Sequence, residues 1–179
     1  NVVRAGPLFP INSLMLHGVT FAPQAPGLTD DPGGDLPSEI WSLLASGTQL
    51  QELYVSPGQM TAERWDVLAA AARWARSRAD VLRDTHWVGG NPGELEPYGW
   101  ASWTPERQVV CVRNPADAPQ RFALCPQVLW EPVVAVPSYR LRPVWGSHDS
   151  PKPFEVPANG ECALLLAPFE VQVLETETC

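Results

Sequence analysis

The run from Asp84 to Pro115 constrains the fold most, because it separates two different kinds of sequence. Before it lie the two segments with helical periodicity. After it come short apolar runs divided by proline, without a helical period. Half of the eight tryptophans lie in or beside this run: Trp74, Trp87, Trp100 and Trp103. The pattern predicts an α+β chain in which a helical first half is followed by a β-rich second half.

The first half has the order strand, helix, strand, helix. Residues 11–21 and 50–55 are apolar runs that predict strands. Ser38 and Thr61 are suitable N-caps for helices that end near Gly47 and Arg83. This order predicts βα units with parallel strands. Parallel sheets are normally buried on both faces, so we expect the exposed faces and edges of so small a unit to contact a larger body or a second copy of the chain.

The second half predicts an antiparallel β-sandwich, because short strands follow one another at intervals of about 8–12 residues. We place the domain boundary between residues 95 and 96, giving domains 1–95 and 96–179. The predicted strands are Tyr98–Trp103, Gln108–Arg113, Gln120–Leu124, Tyr139–Pro143, Glu161–Leu166 and Glu170–Leu174.

Composition excludes several classes of partner. The net charge of −8 argues against nucleic acid and anionic membranes, which both require a basic face. No apolar run approaches the roughly 20 residues of a membrane span. The four cysteines lack a CxxC spacing and the three histidines are scattered, so we expect no metal and no cofactor. Buried free thiols and a single disulfide both remain open.

The chain begins at Asn1 without methionine. A removed signal peptide or a place inside a longer polypeptide would each explain this start. We expect a secreted or periplasmic location rather than a cytoplasmic one.

Four segments resemble the C-terminal region of large bacterial glycoside-hydrolase-like proteins related to retaining, TIM-barrel α-galactosidases. They read LASGTQLQELYVSP, WDVLAAAARWARSRADVL, DTHWVGGNPGELEPYGWASW and VVCVRNPADAPQRF. The resemblance spans about residues 5–175. It implies that the first half is the last quarter of a (β/α)₈ barrel and the second half its C-terminal sandwich. It also implies that the two catalytic aspartates lie on earlier strands, outside this chain, so that catalysis by the chain alone is an open question.

Three carboxylates are candidates for catalysis if the chain carries its own site. Retaining glycosidases need two carboxyl groups about 5–5.5 Å apart. Asp30 and Asp31 lie in the long loop after the first strand, which in a barrel would open onto the active face. Glu52 lies in the second apolar strand. The alternatives are a solvated turn for the aspartates and a structural ion pair for Glu52.

Four other residues are candidates for substrate binding. His17 lies in the first apolar run, where it is either a hydrogen-bonded core residue or a substrate contact. Trp87, Trp100 and Trp103 could stack on a saccharide, or be buried between the two halves. Trp100 and Trp103 have opposite parity on one strand, so they cannot face the same ligand unless the strand is bulged.

These observations support three hypotheses. The first is a carbohydrate-active, glycoside-hydrolase-like portion that hydrolyses glycosidic bonds when the active site is complete. The second is a non-catalytic carbohydrate-binding or structural module. The third is a small stand-alone hydrolase that uses Glu52 with Asp30 or Asp31. A saccharide is the expected partner in the first and third, and the module of the second would either hold a sugar or pack against a neighbour.

Overall fold

A computed structural model describes residues 11–16, 18–23, 31, 33–131, 135–146 and 152–177. Two short strands, β1 (Thr20–Phe21) and β2 (Tyr54–Val55), pair in parallel, and an isolated parallel bridge joins Leu16 to Gln51. The predicted strand over residues 11–21 is therefore only partly formed. Its start is instead a 3₁₀ turn, Ile11–Ser13, which the Leu14 N–H closes by donating to the carbonyl of Ile11.

The helices form close to their predicted positions. Helix α1 is Leu36–Ala45, two residues ahead of the predicted Ser38 cap, with a proline in its first turn. Helix α2 is Ala62–Ser77, and the Thr61 hydroxyl caps it by accepting from the Arg64 N–H, as predicted. The single long helix expected up to Arg83 breaks at Arg78, after which the short helix α3 (Ala79–Leu82) follows.

The rest of the described chain is antiparallel β-structure. Its strands are β3 (Thr85–Gly89), β4 (Tyr98–Trp103), β5 (Gln108–Arg113), β6 (Gln120–Leu124), β7 (Ser138–Trp145), β8 (Phe154–Pro157), β9 (Cys162–Leu166) and β10 (Val171–Thr176). Six of them form one sheet in the order β3-β4-β5-β10-β7-β8, and β6 pairs with β9. A short helix, α4 (Pro126–Leu129), follows β6.

The six-stranded sheet is the middle of three layers. One face packs against helices α1, α2 and α3 through a core that includes Trp41, Trp74, Trp100 and Val173. The opposite face packs against β6 and β9 through a second core that includes Phe122, Leu141 and Leu164. This arrangement confirms the α+β class and the antiparallel second half.

The barrel quarter is not shown, because the described parallel pairing is limited to the two-residue strands β1 and β2 and one bridge. The boundary at residues 95 and 96 stays a prediction. Strand β3 precedes that boundary and pairs with β4, which follows it, so the six-stranded sheet extends across it.

Candidate functional site

The carboxyl ends of β1 and β2 meet at one edge of the parallel pair, and polar side chains gather there. Asp31, in the loop after β1, is nearly buried and accepts hydrogen bonds from the Asp35 and Leu36 N–H groups at 2.8 and 3.1 Å. Arg64, in the first turn of α2, places Nη2 3.6 Å from Asp31 Oδ2. In parallel α/β folds, ligands bind at this end of the strands.

Arg64 is held by contacts on several sides. Besides its ion pair with Asp31, its Nη1 donates to the Gln59 carbonyl at 3.0 Å, and its guanidinium carbon lies 4.6 Å from the centre of the Phe21 ring. About a quarter of the side chain is still exposed. A fixed guanidinium with exposed N–H groups can donate to ligand hydroxyl or carboxylate oxygens at little cost in conformational entropy.

Two further carboxyls extend this group toward the sheet. Glu39, in the first turn of α1, forms an ion pair with Arg113 of β5. Burial raises the pKa of Asp35, and a hydrogen bond with Asp31 and the charges of Glu39 and Asp31 raise it further. We call Asp31, Asp35, Glu39, Arg64 and Arg113 the loop-end cluster. It combines fixed donors and acceptors with one carboxyl whose pKa is raised, and such groups can form hydrogen bonds with sugar hydroxyls.

The structure describes two of the three predicted catalytic carboxylates, and they lie in different surroundings. Asp31 belongs to the loop-end cluster, where it caps α1 and pairs with Arg64. Glu52 lies two residues before β2 begins, at the opposite end of the strand from the loop-end cluster, and its Oε2 accepts from the Tyr54 hydroxyl at 2.6 Å. Asp30 lies outside the described residues. A catalytic role for any of the three stays a prediction.

The predicted substrate-binding tryptophans do not share one surface. Trp100 is buried, and Trp87 stacks on Tyr98 with ring centres 4.9 Å apart, both on the helix-facing side of the sheet. Trp103 packs with the opposite core and stacks on His86 at 4.4 Å. The parity argument from the sequence agrees with this placement. His17 lies outside the described residues, and saccharide contact by any of these side chains stays a prediction.

Arg64 and Asp35 were not among the predicted site residues. Asp35 is the third aspartate of the DDPGGD run, of which only the adjacent pair was considered. Arg64 follows the predicted cap Thr61, so its place at the carboxyl end of the strands could have been inferred from the βα order alone.

A groove of about 380 Å³ lies at the other end of the helices. Its walls are mostly apolar, and its two cations, Arg76 and Arg83, come from α2 and the residue after α3. Leu53, which precedes β2, and Leu68 of α2 also line the groove. The groove is therefore separate from the loop-end cluster.

Other chemistries receive no support from the described residues. They contain no group of three side chains suited to a metal ion. Cys111, Cys125 and Cys162 are free thiols, and burial raises the pKa of Cys111 to about 12, so that thiol is unreactive at neutral pH. Among the helices of this part of the chain, none has the length and hydropathy of a membrane span.

Solved structures with a similar fold are known, although no family model and no curated protein match the chain. A candidate α-N-acetylgalactosaminidase of Bacillus halodurans is 12% identical with a TM-score of 0.60, over 88% of this chain and 36% of the other. A candidate α-galactosidase/melibiase of Bacteroides fragilis is 12% identical with a TM-score of 0.53, over 80% and 28%. A second candidate α-galactosidase of that organism is 14% identical with a TM-score of 0.51, over 81% and 29%.

The chain therefore spans about a third of the length of these structures. At these identities the likeness concerns the fold. It confirms the resemblance to α-galactosidase-related proteins at that level: the chain has the fold of a portion of such proteins.

Proposed function

We propose that the chain is the C-terminal portion of a carbohydrate-active protein that hydrolyses α-galactosidic or related bonds. The loop-end cluster carries this proposal, because it lies at the carboxyl ends of a parallel βα pair. That is the place from which a (β/α)₈ barrel presents groups to its substrate. The shared fold with candidate α-galactosidases supports the same assignment.

Within the described residues, the strands β1 and β2 pair only with each other, and this suggests how the remaining catalytic groups are supplied. Each of β1 and β2 has a single strand partner within the described ranges, and large apolar side chains are exposed around them. Further parallel strands beside β1 and β2 would bury these side chains and bring their own carboxylates to the same edge. We infer that the nucleophile and the acid/base arrive in this way. A second copy of the chain is the other body that could cover these side chains.

The role proposed for the loop-end cluster is to bind and orient the sugar. Arg64 donates to a ring hydroxyl while Asp31 fixes the guanidinium, and Asp35 accepts a hydrogen bond from a second hydroxyl. The acidic character of the chain favours an uncharged saccharide over an anionic one.

Hydrolysis of 4-nitrophenyl α-galactoside and α-N-acetylgalactosaminide tests the proposal. The 179-residue chain alone is expected to release no nitrophenol, whereas a polypeptide that also contains the additional strands is expected to turn over. In that polypeptide, Arg64→Leu should raise KM about tenfold, since a charge-assisted hydrogen bond contributes about 1.5 kcal/mol. Turnover by the chain alone that is lost in Glu52→Gln would instead establish the stand-alone hydrolase.

A further inference from the structure

Two large apolar side chains project from the loops at one end of the antiparallel half. Leu95, in the β3–β4 loop, is 54% exposed, and Phe169, in the β9–β10 turn, is 51% exposed. Both have left-handed backbone conformations, with φ of 58° and 57°. Bulky residues rarely adopt this conformation, and such strain persists only where the surroundings impose it.

Hydrogen bonds hold these loops together. The Phe169 N–H donates to the Ala116 carbonyl at 3.1 Å, which joins the β9–β10 turn to the β5–β6 loop. Buried Asn114 donates to the Ala167 carbonyl at 2.8 Å. The Gln120 side chain donates to the Leu95 carbonyl at 2.7 Å, which joins the β3–β4 loop to the start of β6. The two exposed side chains therefore lie on connected loops at the same end of the sheet, which we call the loop surface.

The polar groups of this surface are acidic. Residues 90–97, 114–119 and 167–170 contain neither lysine nor arginine, and their four acidic residues are Glu94, Glu96, Asp117 and Glu170. Glu94 and Asp117 are exposed, whereas the carboxylates of Glu96 and Glu170 accept backbone N–H bonds within their own loops. Carboxylates in these loops repel anions and accept hydrogen bonds from hydroxyl groups.

We propose that this loop surface binds an uncharged saccharide, separately from the loop-end cluster. The apolar face of a pyranose ring stacks on Phe169, Leu95 widens the apolar area, and Asp117 and Glu94 accept hydrogen bonds from sugar hydroxyls. Two half-exposed apolar side chains are too small an area for a stable protein interface, which needs about 800 Å² on each partner. The choice of an α-galactosyl sugar as probe rests on the proposed function.

Isothermal titration calorimetry of the 179-residue chain with raffinose tests this site, with digalacturonate as the anionic comparison. Raffinose is expected to bind and digalacturonate not to bind. Phe169→Gly should weaken raffinose binding about five- to tenfold, the effect of losing one stacking contact. Because glycine adopts a positive φ without strain, the melting temperature of this variant should be unchanged or higher. A loss of binding without a loss of stability separates a ligand contact from a structural role.

Two further variants sharpen the experiment. Phe169→Tyr keeps the ring and should bind raffinose as the wild type does. Leu165→Ala removes a 67% exposed apolar side chain from neighbouring β9 and should leave binding unchanged. Equal raffinose affinity in the wild type and Phe169→Gly, or no raffinose binding by the wild type, overturns the proposal. A change in the sedimentation coefficient of Phe169→Gly without a change in its raffinose affinity also overturns the proposal, because it would assign the surface to a protein contact. No outcome depends on turnover, so the binding experiment and the hydrolysis experiment distinguish failure of this site from failure of the proposed function.

Discussion

The carboxylate of Glu175 joins the helical layer to the sheet. It is almost fully buried and receives hydrogen bonds from Arg78 at the helix break, from the Trp74 indole and from Arg142 of β7. Burial acts to raise the pKa of Glu175, but the hydrogen bond and charge of Arg78, together with Trp74 and Arg142, hold it below its ordinary value. Arg78 is also the residue at which the helix predicted to continue to Arg83 breaks.

We expect Glu175→Gln to lower the free energy of unfolding by about 2–3 kcal/mol at pH 7, because it leaves two guanidinium groups without their carboxylate. The folded-state pKa is lowered, so the stabilisation is present above the ordinary pKa and is lost as the pH falls through the folded value. Urea unfolding of both proteins at several pH values measures this. A difference between them that stays constant down to pH 3 would contradict the assignment.

Asp35 should behave in the opposite way. Its pKa is raised in the folded chain, so its ionisation lowers the free energy of unfolding. This loss of stability develops as the pH rises from the ordinary pKa through the raised folded-state pKa. Its side chain makes no capping hydrogen bond to α1, so Asp35→Asn removes the charge without removing a cap. We expect the variant to be more stable than the wild type at pH 7 and equal to it near pH 3.5, measured by thermal unfolding. Lower stability at pH 7 would show that the charge is needed.

Among the elements, the short parallel pair depends most on one residue. A Cβ atom at Gly18 would lie 1.3 Å from the carbonyl oxygen of Glu52, so only glycine lets the two segments approach. Gly18→Ala should therefore destabilise the chain by about 2 kcal/mol or more. Gly58→Ala is a matched control, since a Cβ there meets no atom within 4 Å. Differential scanning calorimetry measures the melting temperatures of both variants. Equal values would contradict the close approach of Gly18 to the Glu52 carbonyl.

The sequence predicts the antiparallel elements better than the parallel ones. Strands β4, β5 and β6 begin and end at the predicted residues, because turn residues bound each of them, and in β6 the buried and exposed side chains also alternate. The run over residues 11–21 shows no such alternation, and only Thr20–Phe21 forms a strand. Strand β3 was not predicted, because it lies in the run that was interpreted as a junction.

The candidate site was predictable only in part, for a physical reason. Asp31 was identified because it lies in a long loop after a strand, and chain order alone shows this. The ion pair between Glu39 and Arg113 joins residues 74 positions apart, and the bond from Arg78 to Glu175 joins residues 97 apart. Such pairings form only when the helices pack on the sheet, so local sequence patterns do not predict them.

At the scale of the whole molecule, exposed apolar side chains are unevenly distributed. Of the ten large apolar residues exposed in the described ranges, four lie in the segments around the parallel pair, namely Met15, Leu50, Leu53 and Tyr54, and Trp65 lies on α2, the helix that follows β2. Two strands cannot bury both faces of a parallel sheet, so this side needs a covering body. In the isolated chain, the available body is a second copy.

We therefore expect the isolated chain to self-associate at about 100 µM, as measured by sedimentation velocity. Leu53→Glu combined with Trp65→Glu should increase the monomer fraction, because a charge at either of these exposed apolar positions opposes its burial in an interface. Val128→Glu combined with Leu165→Glu is the matched control, since these side chains are more exposed but lie on the antiparallel half. It should leave the distribution unchanged. A polypeptide that supplies the neighbouring strands should be monomeric without any substitution, because the same face is then covered from within. A monodisperse monomer of the isolated wild-type chain would contradict this account of the parallel pair.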